Sequence, residues 1–173
     1  MTSRIILAVM CSGVAAAALP PRIGAAPGLI WNVSASVPIG LYLVTAPDRL
    51  RVTDLVVVEP PSPVADFLAE RSYLPRGVPL LKRVLALPGQ TVCRRNLAIT
   101  VDGIELGAAR EKDHLGRALP IWEGCRLLAG GEIFVMNWQS PNSLDGRYFG
   151  PIAITSVVGR ATPLWTDEEA TEE

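Results

Sequence analysis

Apolar residues run along this chain in short stretches separated by proline, glycine and polar turns, the pattern of strands rather than long helices. Gly40 to Thr45 and Asp54 to Glu59 read as strands, and Leu80 to Leu87 as another, stopped by Pro88-Gly89. Pro60-Pro-Ser-Pro63 breaks the chain, and Val64 to Tyr73 then spaces its apolar residues for one short helix. Leu97 to Val101, the turn Asp102-Gly103 and Ile104 to Leu106 read as a hairpin, because Asp-Gly suits a two-residue turn at positive φ. Glu132 to Asn137 and Ile152 to Arg160 supply closing strands, and no internal repeat is present. The expected fold is a mostly-β single domain, a coiled β-sheet or barrel with largely closed edges and one short helix.

The first segment departs from this pattern. Ile5 to Leu19 contains no charged residue, follows Arg4 and the amino terminus, and is closed by Pro20, Pro21 and Arg22. A helix of about 15 residues spans roughly 22 Å, short of a bilayer core of roughly 30 Å. The run therefore reads as a cleavable signal peptide, for which Ala16-Ala17-Ala18 supplies small residues, or as a short membrane anchor. The anchor is the preferred reading. Either way the positive-inside rule places the remainder outside the cytoplasm. The expected division is 1–28 for the hydrophobic signal or membrane segment, 29–166 for the folded domain and 167–173 for an acidic, disordered tail.

Composition adds limits. Net charge is −1, but five acids lie in the last seven residues, so the rest holds 16 basic against 12 acidic residues. No basic stripe with interleaved aromatics is present, and a nucleic-acid partner is not expected. Of three cysteines, Cys11 lies in the apolar run, leaving Cys93 and Cys125 as the available pair in a compartment where disulfides persist. A bridge would close a loop of about 33 residues, worth roughly 3–4 kcal/mol in the chain-entropy model; two unpaired buried cysteines are the other reading. Three cysteines and a single histidine make no usual zinc site, so neither metal nor cofactor is expected.

Candidate chemistry begins with lysine, of which the chain has two against fourteen arginines. Lys112 sits among charged neighbours and reads as solvated. Lys82 sits in the apolar stretch Pro79-Leu-Leu-Lys-Arg-Val-Leu-Ala-Leu-Pro88. Arginine does not usefully lose its proton, whereas a desolvated lysine can, which makes Lys82 a candidate base. Strand alternation equally permits it to point outward. Trp31-Asn-Val-Ser-Ala-Ser-Val-Pro-Ile-Gly40 places Ser34 and Ser36 on one side of an extended chain, one able to attack and the other to donate to an oxyanion. A plain turn is the competing reading. His114, in Glu-Lys-Asp-His, is a poor triad member, which favours a Ser-Lys arrangement. In the stretch 137–150, Ser143, Asp145 and Arg147 alternate and would share one face of an extended segment, suited to orienting the base.

Together these clusters resemble the type I signal peptidase family, and more closely its conjugative-transfer branch, the TraF-like pilin-processing peptidases. The resemblance runs from about Trp31 to Arg160. Its serine box is Asn32-Val-Ser-Ala-Ser-Val-Pro-Ile-Gly-Leu-Tyr42, its lysine box Lys82-Arg-Val-Leu-Ala-Leu-Pro-Gly89, and its third box Ser143-Leu-Asp-Gly-Arg-Tyr-Phe-Gly150. It implies Ser36 as nucleophile and Lys82 as general base. It implies Ser34 as an oxyanion-hole hydroxyl, Ser143 as the hydroxyl that positions the lysine, and Asp145 as an orienting carboxylate paired with Arg147. General signal peptidases carry methionine where this chain has Val37, and serine where Gly146 stands; both departures point to the pilin branch.

The implied function is a membrane-associated serine endopeptidase, its catalytic domain at 29–166, processing a propilin or other exported precursor and able to close the pilin into a ring. The expected chain is monomeric, in contact with membrane lipid, at the inner membrane facing the periplasm, or in the periplasm if the leader is removed. The alternatives are a general signal peptidase and a non-catalytic, membrane-anchored assembly subunit of a transfer apparatus. A self-cleaving repressor shares Ser-Lys chemistry but would need a DNA-binding domain in place of the leader.

Overall fold

The computed structural model describes residues 28–167. The hydrophobic segment expected at 1–28 thus lies outside the described residues except for Gly28, and the acidic tail except for Asp167. Among the described residues no helix is long and apolar enough to cross a membrane.

Among the described residues eleven strands form two antiparallel sheets: β1 (Gly28–Asn32), β2 (Gly40–Thr45), β3 (Leu55–Val58), β4 (Leu80–Ala86), β5 (Thr91–Arg95), β6 (Ala98–Val101), β7 (Ile104–Ala108), β8 (Gly124–Leu127), β9 (Glu132–Val135), β10 (Ile152–Ala153) and β11 (Val157–Thr166). The larger sheet runs β1-β2-β11-β3-β4-β9-β10 and the smaller β7-β6-β5-β8. The domain is therefore mostly β, as its apolar pattern predicts, but neither sheet closes on itself. Among the described residues β1 and β10 are the unpaired edges of the larger one, which corrects the expectation of closed edges.

All four residues of β3 are buried because the strand is covered on both faces. Val56 and Val58 pack with Val84, Ile133, Val135 and Val157, whereas Leu55 and Val57 pack with Val37, Tyr42, Leu81 and Ala161. A third cluster, including Val92, Ile99, Leu128, Phe134 and Met136, ties the small sheet to β9. Helix α1 (Ser62–Glu70) begins two residues before the expected start, since Pro63 is tolerated in a first turn where its missing N–H has no partner to lose. The β6–β7 turn holds Asp102 at φ 50° and Gly103 at φ 84°, the left-handed pair that a two-residue hairpin requires.

Several elements differ from the sequence pattern. β1, β5 and β8 are strands that the apolar pattern does not mark, and Cys93 of β5 pairs directly with Cys125 of β8, where a disulfide joins them. The segment expected as one strand over 152–160 divides into β10, a 3-10 turn at Ile154–Ser156 and β11, which continues to Thr166. The stretch 143–147 is not extended. Asp145 instead caps α2 (Gly146–Phe149), its side chain accepting the Arg147 N–H, because a short acceptor beside an exposed N–H end favours a helical turn over continued strand.

Candidate active site

Ser34 and Ser36 lie in the loop between β1 and β2, and a buried asparagine shapes it. Asn32 Nδ2 donates to the carbonyls of Ser34, Val37 and Pro38 at 2.8, 3.1 and 2.9 Å. Its Oδ1 accepts from Ser34 N at 3.1 Å and Ser34 Oγ at 3.2 Å. The Tyr42 hydroxyl adds a 2.6 Å bond to Pro38 O. Drawn in on all sides, the loop sets Ser34 Oγ and Ser36 Oγ 3.1 Å apart, with Ser36 half-buried.

Register decides the orientation of Lys82. It pairs with Val56 and shares its face with Leu80 and Val84, so alternation turns it inward, to 3% exposure. Its Nζ donates to Ser143 Oγ at 2.8 Å. Asn137, two residues past β9, clamps both flanks: Nδ2 donates to Leu81 O at 3.1 Å, and Oδ1 accepts from Arg83 N at 2.9 Å.

Ser143 is held in turn. Arg147 Nη2 donates to the carbonyls of Ser140 and Ser143 at 2.7 and 3.1 Å. Arg147 and Asp145 form a buried pair, with Nη2 to Oδ2 at 2.8 Å and Nε to Oδ1 at 2.9 Å. Asp145 also accepts from Asn137 N at 3.0 Å, so one carboxylate ties α2 to the clamp beside Lys82. Buried Arg94 donates to Arg147 O at 2.6 Å from the small sheet. The departure at Gly146 has a steric cause, since a Cβ there would meet the Phe134 ring and Val135 O at 2.7 Å.

Burial lowers the Lys82 pKa from 10.5 to about 8; the Asp145 charge opposes the shift and Arg147 adds to it. A much larger fraction of Lys82 is thus neutral near pH 7–8 than of an ordinary lysine. If neutral Lys82 is the base, kcat/KM rises with pH through an acid limb centred near pH 8, about the value to which burial lowers the amine, and a pH–rate profile measures it.

Among the described residues no hydrogen bond joins Ser36 to Lys82, but both line one cleft of about 500 Å³, walled by Ile30 to Ser36 on one side and Val78 to Lys82 on the other. Ser143 and Leu144 line it too. A second hollow, with Arg83, Gln139 and Asp167 in its wall, meets Ser36 as well. A half-buried hydroxyl thus stands between two hollows, with an uncharged-prone amine in one of them, an arrangement able to perform acyl transfer on an extended chain. His114 is exposed and lines a neighbouring hollow with Arg110 and Lys112, whose wall includes no residue of the serine loop. The structure thus brings Ser34 to Ser36, and Lys82, Ser143, Asp145 and Arg147 into one network.

Asn32, Asn137 and Arg94 carry roles that sequence reasoning does not assign. The spacing of Asn32 two residues before Ser34 is an Asx-turn signal that could have marked it; the other two act through tertiary contacts without a local sign.

The family model for signal peptidase, peptidase S26, matches residues 2–165. The plasmid transfer protein TraF of Escherichia coli is 33% identical over 172 residues, covering 94% of this chain and 96% of that protein. The conjugal transfer protein TraF of Agrobacterium fabrum is 37% identical over 147 residues, covering 78% of this chain and 81% of that one. A crystal structure of a signal peptidase I from Enterococcus faecalis covers 66% of this chain at 22% identity and a TM-score of 0.39, and adds nothing to these matches. With the family model spanning nearly the whole chain and TraF proteins aligned over most of it, the chain belongs to the S26 signal peptidase family, among its TraF-like members.

Proposed function

We propose that the chain is a membrane-associated serine endopeptidase of conjugative transfer that processes a propilin, with Ser36 as nucleophile and Lys82 as general base. The observation that carries this reading is Lys82, buried on an apolar strand face and, among the described residues, hydrogen-bonded only to a neutral hydroxyl, in the cleft that also holds Ser36. Its relatives' names place them in plasmid or conjugal transfer.

In the proposed reaction neutral Lys82 takes the proton of Ser36 Oγ as that oxygen attacks the scissile carbonyl carbon. The oxyanion that forms is stabilised by the Ser36 N–H and the Ser34 hydroxyl, which already lies beside the nucleophile. Collapse breaks the C–N bond, and protonated Lys82 returns its proton to the departing amine. Water then releases the acyl group to give a linear pilin, or the pilin's own α-amine does so to give a ring. Ser143 holds the lysine Nζ, and the Asp145–Arg147 pair holds Ser143.

Location follows the same reading: the inner membrane facing the periplasm. An exposed apolar ridge of Leu29, Trp31, Val33, Leu164 and Trp165, its two indoles stacked with centroids 5.6 Å apart, supports contact with lipid. Mass spectrometry of the co-expressed pilin tests the reading. A processed chain is expected, with a ring lighter than the linear product by one water. A pilin that keeps its full precursor mass beside the intact enzyme would remove the proposal.

A further inference from the structure

The hollow that holds His114, of about 330 Å³, abuts the Ser36–Lys82 cleft: Tyr73, Asn142 and Leu144 belong to both walls. Its other residues come mainly from the loop after β7, which Asp113 organises. That carboxylate accepts from Leu115 N at 2.9 Å, from Arg117 N at 2.8 Å, from Arg117 Nε at 2.7 Å and from the Tyr73 hydroxyl. Asp113 is thereby saturated, and its charge is offset by Arg117. Two cations in the wall have no such neutralisation. Among the described residues the Arg110 guanidinium donates only to the uncharged Asn142 Oδ1, its backbone N–H going to the Tyr148 hydroxyl, and Lys112 makes only a backbone bridge to Ala118. Glu111, between them in sequence, is not in the wall. The hollow therefore carries net positive charge, with His114 available as a third donor, and the loop that presents it is already fixed.

We propose that this hollow is a further substrate subsite, taking a carboxylate side chain of the polypeptide that lies in the Ser36–Lys82 cleft. The inference rests on the peptidase reading above. A peptide carboxylate fits better than a lipid headgroup, because the hollow opens beside the cleft and shares no residue with the apolar ridge of Trp31 and Trp165. Bringing a carboxylate between two unneutralised cations strengthens binding and excludes competing cationic segments. It would give the enzyme a selection rule beyond the residues flanking the scissile bond.

The test uses the full chain in detergent and an extended, alanine-rich peptide library in which each position in turn carries Glu or its uncharged isostere Gln. Cleavage products are counted by mass spectrometry. At one position Glu is expected to outperform Gln by about five- to tenfold in kcat/KM. The double substitution Arg110→Glu with Lys112→Glu should abolish or invert that ratio, whereas Arg51→Glu, a charge reversal elsewhere, should keep it. A Glu/Gln ratio near one at every position, or a preference that survives the double substitution, overturns the subsite. Loss of binding to phosphatidylglycerol vesicles in the double variant, with a ratio near one in the parent, would assign the cations to lipid instead. If the parent cleaves no peptide in the library and no propilin, the peptidase reading itself fails and the subsite with it.

Discussion

Replacing Ser36 or Lys82 with alanine is expected to lower propilin processing by at least about a thousandfold, because nucleophile and base act as one unit and losing either removes acyl transfer. Neither change should unfold the domain. Ser36 is half-buried, and among the described residues its hydroxyl is hydrogen-bonded only to Ser34 Oγ. Lys82 is a charge that the fold holds at a disadvantage. Its pKa lies near 8 in the fold against 10.5 in an ordinary environment. A cation whose folded pKa is depressed destabilises the fold below that value, and the burden fades as pH rises toward 10.5. The displacement corresponds to roughly 3 kcal/mol at pH 6. Lys82→Met should therefore be inactive yet more stable than the parent at pH 6, with the gain shrinking by pH 10, as urea unfolding at the two pH values would measure. A fold that trades stability for a buried amine is what a site selected for chemistry would show.

The second large effect is on stability. Asp145→Ala should destabilise the domain by about 3–5 kcal/mol, because it leaves the Arg147 guanidinium buried without its counter-charge. The side chains of the pair are 2% and 0% exposed, and Asp145 also satisfies the backbone N–H groups of Asn137 and Arg147. Processing should fall with it, since Arg147 is the group that holds the Ser140 and Ser143 carbonyls and, through Ser143, the lysine. Removing both charges, as Asp145→Asn with Arg147→Met, should recover part of the stability but not the activity. Urea unfolding of the two variants at one pH measures the first outcome, and the pilin mass assay the second. Equal loss of stability in both would assign the effect to the lost backbone acceptors rather than to the unpaired charge.

What the sequence made legible was local, and what it hid was tertiary. Apolar runs such as Gly40 to Thr45 and Leu80 to Leu87 announce themselves because β2 and β4 bury enough of their residues to need them. β8 is exposed at all four positions and is held by its pairing to β5 and by the disulfide, so no apolar run marks it. The closing strand expected to end at Arg160 runs on in β11 through Pro163 to Thr166, where the register shifts between Pro163 and Trp165 and a bulge tolerates a residue without an N–H. The alternation of Ser143, Asp145 and Arg147 suggested an extended face. Asp145 and Arg147 do pair, but across a capped helical turn, and Arg147 reaches Ser143 only at its carbonyl while the Ser143 hydroxyl meets Lys82.

The candidate site follows the same division. Scarcity of lysine and an apolar strand single out Lys82, but only the pairing of Val56 with Lys82 decides that it faces inward. The roles of Asn137 and Arg94 have no local sign, because each bonds to chain more than 50 residues distant.

The central claim is that Ser36 forms the acyl bond with Lys82 as its base, and covalent capture tests it most directly. The intact chain is treated with a serine-acylating inhibitor, quenched, digested and analysed by mass spectrometry. The account predicts one adduct, on the peptide carrying Ser36, forming faster as pH rises through about 8 and absent after Lys82→Ala. An adduct on any other serine, or undiminished propilin processing by the Ser36→Ala chain, would contradict it.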